Sequence, residues 1–90
     1  MTIKKSPLFR DELKQVLSFI ARDKVTAMLK FRKELNQQLD LLKEFPKKYQ
    51  KSIYFEDENI RDMTYMGYTI IYSLTHDKII IMSIFNQNKP

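Results

Sequence analysis

The sequence is poor in the residues that most often mark a catalytic centre or a covalent framework. Cysteine is absent from the 90 residues, which excludes disulfides and thiol chemistry and agrees with a reducing cytoplasm. Histidine occurs once, at His76, and there is no glycine-rich phosphate loop, metal-ligand cluster or Ser/His/Asp arrangement. We therefore expect no metal, no cofactor and no small-molecule substrate.

Long apolar runs are missing as well. No run approaches the roughly 18 residues that a transmembrane helix needs, and residues 1–5 lead into a polar segment. The sequence thus predicts a cytoplasmic protein that has neither a signal peptide nor a transmembrane helix.

The composition that remains is typical of one small folded domain, which we expect to span residues 1–90. Hydrophobic residues make up 43% and charged residues 30%, so the chain has enough apolar surface for a modest core. Sixteen basic residues against eleven acidic ones give a net charge of +5. A basic surface of this kind favours nucleic acid, the ribosome or an acidic protein partner.

The C-terminal third has the composition of a β-meander. Two apolar runs rich in β-branched and aromatic residues, Tyr68–Thr75 and Lys78–Phe85, flank the polar pair His76-Asp77, which predicts a hairpin with an exposed turn. The only glycine, Gly67, follows a weaker strand over Ile60–Met66 and predicts a tight turn or bulge.

His76-Asp77 forms either a two-residue turn or part of a longer loop, and the two-residue turn would fix the register of this hairpin. Thr75 then faces Lys78, and one face of the sheet carries the pairs Leu74–Ile79, Tyr72–Ile81 and Tyr68–Phe85. The opposite face carries Thr69, Ile71, Ser73, Ile80, Met82 and Ile84. Neither face is polar, so the sheet needs cover on both sides.

The N-terminal half predicts a short edge strand, Thr2–Lys5, followed by two helices. Ser6-Pro7 is a good helix start, and apolar spacing extends the first helix from Pro7 to Ala21. Asp23 is the candidate N-cap of a second helix over Lys24–Glu44, which ends before Phe45-Pro46. The fold class is therefore α+β, ordered β-α-α-β-β-β, with a helical hairpin on one face of a small, twisted, mainly antiparallel sheet.

Between the helices and the meander lies a segment of strong charge. Lys47, Lys48 and Lys51 form a basic loop, which is either simply solvated or a contact site for phosphate or a target. Ser52–Phe55 is predicted as a short strand, and an acidic turn over residues 56–59 follows it. Arg61 either pairs with that turn or belongs to a functional site.

Taken in order, these features resemble the RelE/ParE superfamily of bacterial type II toxins. The resemblance covers essentially the whole chain and rests on the motifs Leu41-Leu42-Lys43-Glu44-Phe45-Pro46, Arg61, Gly67-Tyr68-Thr69-Ile70-Ile71-Tyr72 and Ile79–Ile84. It implies a growth-inhibiting toxin that a cognate antitoxin holds inactive. The apolar residues on the opposite sheet face, named above, are the candidate antitoxin contacts.

The superfamily divides by target, and the resemblance implies two alternatives. RelE-like members cleave mRNA on the ribosome without a metal, using basic residues around the scissile phosphate. Here the expected basic positions are largely missing: Thr69 follows the Gly-Tyr pair, and Asn86 to Lys89 contain no arginine. A ribonuclease centre could be built only from Arg61, Lys51 and Lys89.

ParE-like members are implied to inhibit DNA gyrase by binding, without catalytic residues of their own. The long helical hairpin and the missing nuclease set favour this branch, and hence a protein that is not an enzyme. The candidate target contacts are Lys47, Lys48, Lys51, Arg61, Asn86 and Lys89. A binding module, or a degenerate toxin that retains only its antitoxin contact, is the third alternative.

Overall fold

A computed structural model describes residues 1–86 and confirms the predicted α+β architecture. Two helices precede a meander of three strands, and a short N-terminal strand completes the sheet. The elements are β1 (Thr2–Lys5), α1 (Pro7–Asp23), α2 (Val25–Leu41), β2 (Ile60–Tyr65), β3 (Tyr68–Leu74) and β4 (Lys78–Asn86). The strand order is β1-β4-β3-β2, with β1 parallel to β4 and the other two pairs antiparallel.

The helix boundaries differ from the predicted ones at the turn between α1 and α2. Ser6 caps α1 as predicted, because its Oγ accepts a hydrogen bond from the Phe9 amide at 3.0 Å. Asp23, the predicted cap of the second helix, is instead the last residue of α1. Lys24 alone leaves the helical conformation, with φ −156° and ψ 117°, and makes no side-chain cap. A single extended residue is enough to reverse the chain.

The second helix also ends earlier than predicted, at Leu41 rather than Glu44. The Leu42 amide bonds to the Leu39 carbonyl at 3.1 Å, a tighter pattern that closes the last turn. The chain then turns away before it reaches Pro46.

The core lies between the helical hairpin and one face of the sheet. On the helical side it contains Phe9, Phe31, Leu35, Leu39 and, directly after the end of α2, Leu42. Its strand residues are Met63, Ile70, Tyr72, Leu74, Ile79, Ile81 and Ile84. Both sets are buried, so the apolar stripes of the two helices and the inner face of the meander pack together.

The predicted hairpin register holds near the turn and fails farther along the strands. Leu74 faces Ile79 and Tyr72 faces Ile81, but a bulge follows, because Ile71 faces Ser83 and Met82 has no partner in the ladder register. The predicted pair Tyr68–Phe85 is therefore wrong, since Tyr68 faces Asn86 and Thr69 faces Phe85. The extra residue also moves Ile84 from the outer face into the core.

Gly67 lies in a tight turn between β2 and β3, as the sequence predicted. Both turn residues have positive φ, 50° at Met66 and 84° at Gly67. Positive φ at both central positions is the pattern of a type I′ hairpin turn, which matches the twist of the flanking strands. The turn brings the end of the sheet beside α2.

The outer face of the sheet is partly covered by the chain itself. The predicted strand over Ser52–Phe55 does not form; this segment is irregular, and only an isolated bridge joins Lys51 to Arg61. The Tyr54 ring packs edge-on against Phe85, with centroids 5.4 Å apart. The loop between α2 and β2 therefore lies over part of the face that we expected to be open.

Candidate functional site

The first candidate surface is the basic loop, residues 43–51, which two strand side chains hold in place. Arg61 on β2 donates from Nη1 to the Tyr49 carbonyl at 2.7 Å, with a longer contact to the Lys47 carbonyl at 3.5 Å. Tyr72 on β3 donates from its hydroxyl to the Pro46 carbonyl at 2.8 Å. These donors fix the backbone of the loop, because each bond is to a main-chain carbonyl.

The Tyr72 hydroxyl is well suited to this role. The side chain is fully buried, and burial raises its pKa to about 12, although the nearby Arg61 charge acts in the opposite direction. The hydroxyl therefore stays protonated, and remains a hydrogen-bond donor, well above neutral pH. The Tyr49 ring packs edge-on against the Tyr72 ring at 6.5 Å and covers it.

The outer surface of the basic loop combines an aromatic ring with unpaired positive charge. Phe45 is 59% exposed and lines a shallow hollow of about 570 Å³ together with Pro46, Lys47 and Lys48. Lys48 Nζ lies 5.4 Å from the centroid of the Tyr49 ring. Within residues 1–86, no lysine of the loop forms an ion pair.

The residues of the alternative ribonuclease centre are only partly brought together. Lys51 and Arg61 face each other across the isolated bridge, whereas Lys89 lies outside the described residues. The Arg61 guanidinium is directed at loop carbonyls, and its Nε is buried without a hydrogen-bond partner in the described part of the chain. Arg61 therefore supports the loop, and neither a hydrogen bond nor an ion pair joins its side chain to the acidic turn over residues 56–59.

The other single candidates are accounted for as follows. The His76 side chain is 95% exposed at the β3–β4 turn, as predicted, far in sequence from the basic loop. Asn86 is exposed at the end of β4. No group of three or more His, Asp or Glu residues within positions 1–86 is placed to hold a metal ion.

The second candidate surface is the hairpin-end groove, a depression of about 350 Å³ where the helices meet the β2–β3 turn. It is lined by Ile20, Ala27, Lys30, Phe31, Glu34, Tyr65, Met66 and Tyr68. Phe31 forms its floor, with ring centroids 5.5 Å from Tyr65 and 5.6 Å from Tyr68. Burial, and then the Glu34 carboxylate, raises the pKa of the Tyr65 hydroxyl.

Met66 at the edge of this groove has an unfavourable conformation for its residue type. Its φ of 50° is uncommon for any residue other than glycine, asparagine or aspartate, and its side chain is 74% exposed. Phe19, 65% exposed, lines a neighbouring hollow with Ile20 and Ala27. A strained turn that presents a large apolar side chain to solvent indicates a contact surface.

The predicted antitoxin contacts do not form one open surface. Thr69 and Ile71 are 4% and 5% exposed, and Ile84 lies in the core, so none of the three is accessible in this conformation. The bulge and the covering loop explain the difference. Ser73, Ile80 and Met82 are half-buried, and a role for them in antitoxin binding remains a prediction.

The edge of β4 beyond β1 is also blocked. Glu12 on α1 accepts hydrogen bonds at Oε1 from the Ser83 hydroxyl at 2.6 Å and the Ile84 amide at 3.1 Å. Ser6 similarly donates to the Met82 carbonyl at 2.8 Å. The N-terminal strand, β1, is thus left as the outer strand on this side of the sheet.

Sequence reasoning missed the three residues that define the two surfaces. Tyr72 looked like sheet packing, Phe45 like the end of a helix, and Met66 like part of a strand. Only the last carried a usable signal, because a bulky residue directly before the single glycine suits a turn poorly. The other two depend on contacts between distant parts of the chain.

Comparison with known proteins assigns the chain to a class, the toxins of type II toxin–antitoxin systems. The family described as ParE toxin of type II toxin-antitoxin system, parDE, matches residues 3–89. The chain therefore belongs to the ParE toxin family.

One similar solved structure is described as a chromosomal ParDE toxin–antitoxin system from P. aeruginosa. It superposes with a TM-score of 0.76 over 96% of this chain and 95% of the other, at 15% sequence identity. At that identity the likeness is one of fold. No curated protein matches the chain significantly. No helix within residues 1–86 is long and apolar enough to cross a membrane.

Proposed function

We propose that this toxin inhibits DNA gyrase by binding to it rather than by catalysing a reaction. The observation that carries the proposal is the orientation of Arg61. This residue is the arginine candidate for a ribonuclease centre, but its guanidinium donates a hydrogen bond to the Tyr49 carbonyl. Phosphoryl transfer needs cations and a proton shuttle around one phosphate, and Arg61 so placed would not serve it. Membership of the ParE toxin family supports the same target.

The target is tested by two assays on the same purified toxin. We expect loss of DNA supercoiling by gyrase and no cleavage of mRNA on translating ribosomes. Cleavage of mRNA at the ribosomal A site, with normal supercoiling, would replace the proposal by the RelE-like alternative. Inactivity in both assays would leave a binding module. The proposal implies a cytoplasmic location, since both targets work there.

The proposed partner is a cognate antitoxin that lays an apolar helix segment in the hairpin-end groove. Met66 supplies exposed apolar area at the edge of the groove, Phe19 supplies more in the neighbouring hollow, and the aromatic rings around Phe31 offer a preformed surface. Acidic residues on the antitoxin would complement the net charge of +5 and speed association. The outer edge of β1 is available for an extended tail to add a strand.

A charge placed in the groove tests this site. Ala27→Glu puts a carboxylate among the groove-lining residues, and we expect about a tenfold or greater loss of affinity for the antitoxin encoded beside the toxin. Thr26→Glu is the matched control, because it adds the same group at the neighbouring exposed position of α2, outside the groove lining. Equal affinities of the two variants in calorimetric titration would show that the antitoxin binds at another surface.

A further inference from the structure

The basic loop has a clear excess of positive over negative charge. Over residues 43–51 there are four lysines and one acidic residue, Glu44. All four lysines are exposed, and none forms an ion pair with any residue from 1 to 86. Unpaired lysines on one short segment create a local positive potential that attracts a polyanion.

The backbone of the basic loop is also fixed by hydrogen bonds, which a loop that is merely solvated does not require. The carbonyls of Pro46 and Tyr49 accept hydrogen bonds from Tyr72 and Arg61, two side chains anchored in the sheet. A loop already fixed in its bound shape loses less conformational entropy when a ligand arrives. Because Arg61 and Tyr72 bind loop carbonyls on the side that faces the sheet, the lysine side chains remain exposed at the surface.

The aromatic ring of Phe45, among these charges, limits the kinds of polyanion that could bind here. Phe45 lies next to Lys47 and Lys48 on a shallow, open hollow that leaves its ring accessible. A flat, one-sided apolar surface among cations fits an unpaired nucleobase stacked on the ring, with its neighbouring phosphates on the lysines. Bases in a duplex are already stacked on one another and cannot use this ring, and the Asp and Glu side chains of an acidic peptide have no aromatic ring to stack on it.

We propose that the basic loop is a binding site for single-stranded nucleic acid. Lys47, Lys48 and Lys51 contact phosphates, and Phe45 stacks on a base. This binding is a property of the toxin alone and goes beyond the proposed action on gyrase. It therefore stands or falls independently of the supercoiling assay.

The test measures fluorescence anisotropy of labelled oligothymidylate of about 20 nucleotides with the full-length toxin, beside oligouridylate and a duplex of equal length. We expect both single strands to bind more tightly than the duplex at the same salt concentration. The ranking of the two single strands tells DNA from RNA as the source of the ligand. Equal affinity for single strand and duplex would overturn the proposal, as would equal competition by polyglutamate of matched charge.

Charge variants locate the site. Replacing Lys47, Lys48 and Lys51 by alanine should weaken binding about tenfold or more and lower the slope of log affinity against log salt by about 2, since each phosphate contact on a single strand contributes about 0.7. The matched control replaces Lys14, Arg32 and Lys33, three exposed cations of the helices, by alanine. If the two triple variants bind oligothymidylate equally, the loop is not the site.

A ring variant separates stacking from charge. Phe45→Leu keeps an apolar side chain and removes the planar ring, so we expect about tenfold weaker binding to oligothymidylate and unchanged binding to the duplex. Thermal unfolding of each variant confirms that it is folded, which is expected because Phe45 and the lysines are exposed. Unchanged single-strand binding by folded Phe45→Leu would refute the stacking role.

Discussion

The basic loop and the hairpin-end groove lie on the same small domain but are stabilised in opposite ways. The loop is irregular, and its shape depends on hydrogen bonds from Arg61 and Tyr72 to main-chain carbonyls. The groove is formed by regular elements, and its shape depends on three aromatic rings that pack together, those of Phe31, Tyr65 and Tyr68. One surface presents charge on a polar support, and the other presents apolar area on an apolar support.

Because of this difference, we expect mutations at the two surfaces to have different effects on stability. Directional bonds can be removed singly without emptying the core, so the loop can lose order while the domain stays folded. Packed rings cannot be removed without leaving a cavity, so damage to the groove is damage to the core. Loss of a packed ring should therefore destabilise the whole domain, whereas loss of a loop hydrogen bond should disturb the loop alone.

The largest effect is expected for Phe31→Ala. Phe31 is 8% exposed and contacts two other rings, so its removal should lower the free energy of unfolding by about 3 to 5 kcal/mol, measured by urea denaturation. Phe45→Ala makes the same chemical change at a ring of the basic loop that is 59% exposed, and should change stability by no more than about 0.5 kcal/mol. Similar losses for the two variants would contradict the comparison.

The next effect is expected for Tyr72→Phe, which removes one hydrogen bond to the Pro46 carbonyl and keeps the ring. We expect a loss of about 1 to 2 kcal/mol and weaker nucleic-acid binding, with antitoxin binding unchanged. A parallel loss of antitoxin binding would show that the two surfaces are coupled.

The same variant carries a pH signature. The pKa of Tyr72 is raised from 10.0 to about 12 in the folded protein, so the folded state holds this proton more tightly than the unfolded state. The resulting stability is fully present below pH 10 and is lost as pH rises from 10 to about 12. The difference in unfolding free energy between wild type and Tyr72→Phe should shrink over that window. A constant difference would mean that the hydroxyl titrates normally.

A smaller effect is expected for Gly67→Ala in the turn beside the groove. A Cβ at this position meets no atom within 4 Å, so the cost comes from the φ of 84° alone and should be about 1 kcal/mol. Gly67→Asn should recover part of the loss, because asparagine tolerates positive φ. Thermal unfolding of both variants measures the difference, and equal losses would point to a cause other than backbone conformation.

The smallest effect has the opposite sign. Met66→Asn places the residue favoured in a type I′ turn at a φ of 50°, and should raise stability by about a few tenths of a kcal/mol while weakening antitoxin binding. Met66→Ala keeps the unfavourable φ, so it should weaken binding without the gain in stability. Tighter antitoxin binding by either variant would show that the Met66 side chain is not a contact.

The parts of the fold that could be predicted are those decided by neighbours in sequence. The pairing of Tyr72 with Ile81 follows from a two-residue turn four positions away, and the start of α1 follows from Ser6-Pro7. The bulge at Met82 could not be predicted, because its surroundings are set by Ser6 and Glu12, about seventy positions earlier. That single extra residue moved Ile84 to the other face of the sheet.

The candidate surfaces show the same limit. The lysines of the basic loop could be recognised in the sequence as a charged segment. The hydrogen bonds that fix the loop backbone could not be predicted, since Arg61 and Tyr72 donate to carbonyls that lie 12 and 26 positions away. The expectation that the outer sheet face is open was wrong in part, because Tyr54, in the irregular segment before β2, packs on Phe85. Lys89 lies outside the described residues, so its role stays a prediction.

By itself, the sequence determined the α+β class, the helical hairpin, the meander and the excess of positive charge, because periodicity, turn residues and composition act over short distances. The tertiary structure alone decided which apolar residues stay exposed and which carbonyls of the loop are bound. Those outcomes depend on where distant segments meet, and a change of one residue in strand register reverses the face on which a side chain lies.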